Sequence, residues 1–320
     1  MTSVLYGSIS GIAQPVSRIL LGVASIPEKA DTNIWLNSIL ETGVNFFDTA
    51  RVYGNSEETL GRWFDECGTR ERVVLLSKCC HPFLNLRRVS AKAIRHDLRL
   101  SLQALRTDYI DLYLLHRDDP AVPVGEIVET LNELKAAGRL RAFGGSNWTH
   151  SRIEAANEYA YSHNLTPFSA SSPNFSLADP VGDPWGHNSL SIAGRAQAEA
   201  RAWYEKTQLP VIAYSALAHG LFSGRMRSAD AADVEQYLDV YARRGYASAD
   251  NFERLRRCEE LAKAKNATVP QIAMAWIFHQ HMNMFAVVST SSAERMRANI
   301  GALEIALSGE ECRYLNLEGD

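Results

Sequence analysis

The stretch GVNFFDTARVYGNSEETLG, residues 43–61, decides how the rest of the chain is read. An apolar run from Val44 to Phe47 stops abruptly at Asp48. Tyr53 follows five residues later, beside Gly54 and Asn55, and a helical pattern starts directly after it. A buried strand, a polar residue at its end, a short turn and then a helix make one βα unit, with its chemistry at the strand's C-terminal end.

The same unit recurs along the chain. RILLG precedes NIWLNSILETG, and RVVLLSK precedes SAKAIRHDLRLSLQAL, in which Ile94, Leu98, Leu102 and Leu105 recur at helical intervals. IDLYLLH precedes VGEIVETLNELKAAG, and LRAFGGSN precedes SRIEAANEYAYSH. TPFSASS, LPVIAYS and MFAVVST open three further units. The strands are continuous apolar runs rather than alternating ones, as expected of parallel strands covered on both faces. Eight such units predict an α/β fold, a (β/α)8 TIM barrel forming a single domain over residues 1–320. A doubly wound open sheet is the rival, and no G-x-G-x-x-G loop follows the first strand to support it. Two connections are too long for simple βα loops: residues 177–193 after strand 6 and residues 216–252 after strand 7. Long loops in a barrel usually serve as lids or ligand contacts. Thr268-x-x-Gln271 and Ser308-x-x-Glu311 read as capping boxes.

Composition narrows the function classes. Of 320 residues, 46% are hydrophobic and 22% charged, and the net charge of −4 provides no basic field for nucleic acid. No apolar run reaches the length of a membrane span, and MTSVLYGSIS lacks the pattern of a signal peptide. Five cysteines at irregular spacing, Cys67, Cys79, Cys80, Cys258 and Cys312, suggest no disulfide framework and fit a reducing cytoplasm. Cys79-Cys80-His81 has no second ligand pair at metal spacing, so no metal is expected.

The polar residues that end the strands carry the chemistry. They are Asp48, Lys78, His116, Ser146-Asn147 and Tyr214-Ser215 on strands 2, 3, 4, 5 and 7. A lysine buried after VVLLS needs a carboxylate partner, and Asp48 is the obvious one. A cation beside Tyr53 would stabilise the phenolate and lower a pKa that ordinarily sits near 10, letting the phenol give or take a proton near neutrality. His116 could hydrogen-bond a carbonyl oxygen. The set suits proton delivery to an oxygen gaining negative charge, and acyl transfer fits poorly because no Ser or Cys stands beside a base. Taken singly, Asp48 could cap a turn, Tyr53 could be a loop aromatic and His116 a core histidine. Their joint position at strand ends favours the functional reading.

NFFDTARVYGNSEETLG, LLSK, DLYLLHRDD, GGSNW, VIAYSALAHGLFSG and SSAERMRANIGAL resemble the aldo-keto reductases, in matching order from Arg18 to Leu303. The resemblance implies a (β/α)8 barrel that reduces aldehydes or ketones with NADPH. It implies a catalytic tetrad of Asp48, Tyr53, Lys78 and His116, with Tyr53 the general acid, His116 orienting the carbonyl, and Lys78, paired with Asp48, tuning the phenol. For the cofactor it implies Ser146, Asn147 and Ser172 around the carboxamide and Tyr214 beneath the nicotinamide ring. Ser215, Leu217, Gly220 and Leu221 correspond to the loop around the pyrophosphate. Ser289, Thr290, Ser291, Ser292, Arg295 and Asn299 correspond to the adenosine-phosphate segment. Two positions depart from the family. Ser172 stands where a Gln is usual, and Ser289 where some members have a Lys beside the phosphate. NADPH is expected over NADH because Arg295 remains to pair with a phosphate.

Val23, Pro82, Phe83, Trp148 and Trp185 are expected to line the substrate pocket, whose apolar and aromatic walls suit carbonyl compounds with an apolar body. Two other functions compete. One is a nicotinamide-binding regulatory subunit, disfavoured because no extended tail precedes the barrel. The other is a Schiff-base aldolase using Lys78, which would require a neutral amine that Asp48 opposes. A small-molecule carbonyl is the expected partner, with no membrane and a monomer as the default.

Overall fold

The computed structural model describes residues 4–24, 26, 31–84, 86–186 and 188–318. A two-stranded antiparallel hairpin, β1 (Tyr6–Gly7) and β2 (Val16–Ser17), comes first. Eight parallel strands then form a closed barrel in the order β10-β3-β4-β5-β6-β7-β8-β9. They are β3 (Ile19–Gly22), β4 (Phe46–Asp48), β5 (Val74–Cys79), β6 (Ile110–Leu115), β7 (Leu140–Ser146), β8 (Ala170–Ser172), β9 (Val211–Ala213) and β10 (Met284–Val288). Helices alternate with them: α1 (Thr32–Leu40), α2 (Ser56–Cys67), α3 (Ala91–Leu105), α4 (Val124–Ala136), α5 (His150–Ser162) and α6 (Ala198–Thr207). After β9 come α7 (Val234–Tyr237), α8 (Val240–Tyr246), α9 (Ala249–Ala264) and α10 (Val269–Phe278). After β10 come α11 (Ala293–Ile300) and α12 (Gly309–Leu315). The expected (β/α)8 barrel is therefore the fold; most of its strands fall in apolar runs of the sequence, while β8 is Ala-Ser-Ser.

The chain divides into two compact units, one of Leu5–Ser172 with Ser289–Ala293, the other of Met1–Val4, Pro173–Val288 and Glu294–Asp320. In the first, the sequence explains the packing directly. β5 and β6 are buried at every position. On α3 the inward face is Ile94, Asp97, Leu98, Ser101 and Leu105, so two of its five buried positions are polar. Phe47 of β4 stacks on Trp63 of α2 at 5.3 Å, burying two rings worth about 1.5–3 kcal/mol each. Gly61 lets α2 approach α3: a Cβ there would stand 2.2 Å from the carbonyl oxygen of Ala104. The β1–β2 hairpin meets the chain at the start of the strands. The Tyr6 hydroxyl donates to the carbonyl of Gly43 at 2.7 Å. Gly11, with φ +91°, presses against the carbonyl of Arg141.

The second unit holds both long connections, and neither is loose. In residues 177–193, Asp183 accepts from the backbone N–H groups of Trp185, Gly186 and Ser189 at 2.9–3.1 Å. These bonds outweigh burial and hold its carboxyl below the ordinary carboxylate value. Val181 donates to Gly245 of α8 at 2.8 Å, and Pro184 packs on the same glycine. The segment 216–252 is organised by short helical turns at 218–220 and 228–233, then by α7 and α8. Both capping boxes are present, Thr268 with Gln271 at α10 and Ser308 with Glu311 at α12.

Candidate active site

Strand register brings the polar strand ends of the first unit to one face. Asp48 pairs with Leu76, Lys78 with Leu114, and Leu114 with Gly144. Side chains alternate with period two along a strand. Lys78, two residues past Leu76, therefore shares the face of Asp48. His116, two past Leu114, shares it too, and Ser146, two past Gly144, completes a staircase that follows the stagger of a closed barrel.

Lys78 Nζ bonds the Asp48 carboxylate directly and donates to the carbonyl of Thr49 at 3.0 Å. Both side chains are buried. The ammonium lies 5.1 Å from the centre of the Tyr53 ring, and that ring meets His116 edge-on at 5.7 Å and 85°. Asp48, Tyr53, Lys78 and His116 thus converge.

Tyr53 is fixed by its own loop. Its N–H donates to Ala50 and its carbonyl accepts from Ser56, each at 3.0 Å. The Thr49 and Ser56 hydroxyls bond across the loop at 2.7 Å, and Ser56 also donates to the carbonyl of Val23 at 2.8 Å. Arg51 donates from its backbone to Lys78 at 3.1 Å and through its guanidinium to Glu57, also at 3.1 Å. Glu57, at the start of α2, is buried and accepts from the Ser77 hydroxyl at 2.6 Å. One carboxylate therefore ties the loop of Tyr53 to the strand of Lys78.

Burial dominates the proton equilibria. It pushes the Tyr53 phenol up, and so does Asp48; Lys78 and Arg117 pull it back, yet the net direction is upward. The expectation of a lowered phenol pKa is corrected here: desolvation of the phenolate exceeds the attraction of the ammonium. Burial pulls Lys78 down, but Asp48 and Tyr53 more than offset it, and the ammonium ends above its ordinary value. Burial raises the Asp48 carboxyl, and Lys78 draws it partly back. His116 is held well below the usual imidazole range by burial, then by Lys78, Arg117 and His81. It is neutral at pH 7, and its buried Nδ1 has no hydrogen-bond partner.

Beside the tetrad, Asn147 donates from its backbone to Ser172 at 3.2 Å. Its Nδ2 donates to the carbonyl of His116 and to Ser146 Oγ, each at 3.1 Å. Ser146 Oγ donates in turn to the carbonyl of Ser172 at 2.9 Å. Asn147 holds a left-handed backbone, φ +59°, which Asn tolerates better than most residues. Ser289 and Thr290 follow β10; the first donates to the carbonyl of Gly22 at 3.3 Å, the second to that of Ser292 at 3.2 Å. Ser291 is exposed.

In the second unit, Tyr214 and Ser215 directly follow β9 and are half-buried. Tyr246 of α8 anchors that turn: its hydroxyl accepts from Asn174 at 2.8 Å and engages Ser215, and burial pushes its pKa up to about 12. Leu217 accepts from the N–H of Gly220 at 3.0 Å. Gly220 has φ +103° and open space where a Cβ would stand. Arg295 is exposed and Asn299 buried on α11.

Three of the expected contacts are buried in the fold, and a fourth, Trp185, is exposed. Trp148 is 0% exposed, wedged over Gly145 and against Phe168 at 5.2 Å, so it packs the unit and offers no surface to a ligand. Val23 is also 0% exposed; its N–H and carbonyl are spent on Asp48 and Ser56. Leu221 lies in the hydrophobic core of the second unit rather than on a ligand surface. Trp185 is exposed and stacks on His219 at 4.5 Å and Tyr241 at 5.4 Å. Pro82 is half-buried and Phe83 exposed in the loop after β5. Sequence reading missed Glu57, which looked like an ordinary first-turn acid, and His81, which meets His116 edge-on at 4.9 Å.

Comparison with known proteins agrees with this geometry. The model of the aldo/keto reductase family matches residues 18–316. Norsolorinic acid reductase A of Aspergillus parasiticus is 27% identical over 314 residues, covering 92% of this chain and 73% of its own. Aldo-keto reductase YhdN of Bacillus subtilis is 28% identical, covering 86% of this chain and 81% of its own. Aldo-keto reductase str7 of Strobilurus tenacellus is 26% identical, at 86% and 77%. With the family model spanning nearly the whole barrel, the chain belongs to the aldo/keto reductase family and is an NAD(P)H-dependent oxidoreductase acting on carbonyl compounds.

Proposed function

We propose that this chain, acting as one barrel domain, reduces an aldehyde or ketone to the alcohol with NADPH, Tyr53 supplying the proton. The observation that supports this most is the convergence of Tyr53 with a buried ammonium–carboxylate pair on one side and a neutral imidazole on the other.

The bound nicotinamide supplies the hydride, and the protein's residues do the rest. Neutral His116 can donate a hydrogen bond to the substrate oxygen without adding a positive charge. Tyr53, protonated at pH 7 because its pKa is raised, is a proton donor. As negative charge grows on that oxygen, Lys78 stabilises it through Tyr53. The ammonium is already desolvated and fixed, so little reorganisation is needed. The raised Lys78 pKa argues against a Schiff-base role, which requires the neutral amine.

The residues present suit the cofactor. Ser146, Asn147 and Ser172 form a buried polar cluster of the hydroxyl and amide chemistry that a carboxamide would meet. Tyr214 would stack on the nicotinamide ring, and the open backbone at Gly220 suits the pyrophosphate. For the 2′-phosphate we assign Arg295 with Ser289, Thr290, Ser291, Ser292 and Asn299. In the first unit, Pro82 and Phe83 are the apolar residues we assign to the substrate.

The test is Tyr53→Phe, assayed by the loss of NADPH absorbance with a panel of aliphatic and aromatic aldehydes. General-acid catalysis is worth about 10²–10⁴-fold, so kcat should fall by that factor with KM little changed. Equal rates in both proteins would remove Tyr53 as the proton donor.

A further inference from the structure

The groove between α2 and α3 holds a cavity of about 600 Å³. Three guanidinium groups line it, those of Arg51, Arg62 and Arg106, against one carboxylate, Glu58. Asn55 and Gln103 add two amide side chains. The chain as a whole carries a net charge of −4, so a local excess of cations runs against its overall balance. The volume lies in the range of pockets that hold small molecules, about 300–1,000 Å³. All six residues belong to the first compact unit.

The surroundings use little of what these arginines can donate. Arg51 spends Nη1 on Glu57 at 3.1 Å, and Arg106 spends Nη1 on Asp65 at 2.9 Å. Arg62 reaches only the Thr59 hydroxyl, at a long 3.4 Å. Glu58 stands one turn before Arg62 on α2, at the spacing of a helical ion pair, yet among the described residues no ion pair joins them. A guanidinium carries five N–H donors in a fixed fork, so most of this capacity is unspent. Three like charges around one space repel, and an anion among them removes that cost. The planar fork matches the oxygens of a phosphate.

We propose that this cavity is an anion site for a small molecule bearing a diphosphate or two phosphate groups, held jointly by Arg51, Arg62 and Arg106. It shares no residue with the phosphate positions assigned to the cofactor. Arg51 links it to the tetrad. The Arg51 backbone N–H donates to the carbonyl of Lys78 at 3.1 Å, and its guanidinium is the partner of buried Glu57, which holds the Ser77 hydroxyl at 2.6 Å. A bound anion competes with Glu57 for that guanidinium and loosens the tie between the Tyr53 loop and β5. Occupancy therefore lowers turnover without blocking the cofactor.

The test titrates inorganic pyrophosphate into the full chain by calorimetry at constant ionic strength, with NADPH in excess to fill the cofactor's own phosphate positions. The variants are Arg62→Gln and Arg106→Gln, both at exposed positions, so their thermal midpoints should match the wild type. Binding should be saturable in the wild type and about tenfold or more weaker in each variant, the scale of a charge-assisted hydrogen bond. Arg295→Ala should leave it unchanged. In a second arm, aldehyde reduction is followed as pyrophosphate is added: kcat should fall along the same saturation curve while KM for NADPH stays constant. Pyrophosphate that binds both variants as tightly as the wild type, or that is lost only with Arg295, would overturn the site. Saturable binding with an unchanged kcat would overturn the link through Arg51. Only the kinetic arm rests on the carbonyl-reductase reading. A chain that binds pyrophosphate through Arg62 and Arg106 yet turns over no aldehyde would refute that reading and keep this site.

Discussion

His116 offers a quantitative check on the electrostatics of the site. Its pKa is well below the ordinary imidazole value because it is buried beside Lys78, Arg117 and His81. In the unfolded chain it titrates near 6.5. As pH falls through that value the unfolded state takes up a proton that the native state refuses. Stability is therefore lost on the acid side, at about 1.4 kcal/mol per pH unit for one proton. Between pH 7.5 and pH 5.0 uptake of this one proton by the unfolded chain is worth at most about 2 kcal/mol, so the wild type should lose stability in that window, up to that limit. His116→Gln keeps a donor of similar size and removes the titration. Other groups titrate in both proteins and cancel in the difference. Urea unfolding at the two pH values, followed by far-ultraviolet circular dichroism, should show the variant losing less stability than the wild type, by up to about 2 kcal/mol. Equal acid sensitivity, within about 0.5 kcal/mol, would mean that the folded imidazole binds its proton as readily as the unfolded one, and the electrostatic account of its depressed pKa would fall.

Two further substitutions probe the supports of the site. Glu57→Ala removes the acceptor shared by Ser77 and Arg51, so it should cost about 2 kcal/mol, mostly from the buried bond to Ser77, and should lower kcat more than it raises KM. A urea midpoint unchanged from wild type would show that the carboxylate does not hold the Tyr53 loop. Arg295→Ala should weaken NADPH about 10- to 100-fold while NADH changes only a few-fold, read from quenching of protein fluorescence. Equal losses for both would count against a 2′-phosphate contact.

The strands were legible because parallel strands buried on both faces must be apolar throughout. A polar residue at the end of such a run stands out, and Asp48, Lys78 and His116 were found that way. The β1–β2 hairpin was not legible: two residues per strand are too few to show a period. Trp148 was misread because its neighbour Gly145, by lacking a Cβ, lets the indole fold inward over the strand, and no pattern in the sequence announces that. The burial of Val23, whose carbonyl accepts from Ser56, thirty-three residues away, was not visible in the sequence. Glu57 hid among ordinary first-turn acids, and only the register of β5 against α2 reveals the hydroxyl of Ser77 beside it. The family positions of the cofactor residues came from resemblance alone; spacing by itself gave no means of pairing a loop near residue 220 with one near residue 290.

The Tyr53 pKa shows most plainly what sequence cannot weigh. Counting charges, a lysine beside a phenol should make it more acidic, and Lys78 does exert that pull. Its carboxylate partner cancels part of the field, and desolvation of the phenolate exceeds what remains. The resting site is therefore a protonated phenol and a neutral imidazole around a closed ion pair. Neither donor carries charge, so a neutral carbonyl gains little from entering. An oxygen acquiring negative charge as hydride arrives gains much more: two directed donors, and an ammonium whose attraction grows with that charge in a medium that screens poorly. On the proposed function, burial, which defeats the expectation of an acidic tyrosine, would be what lets the arrangement discriminate between the ground state and the transition state.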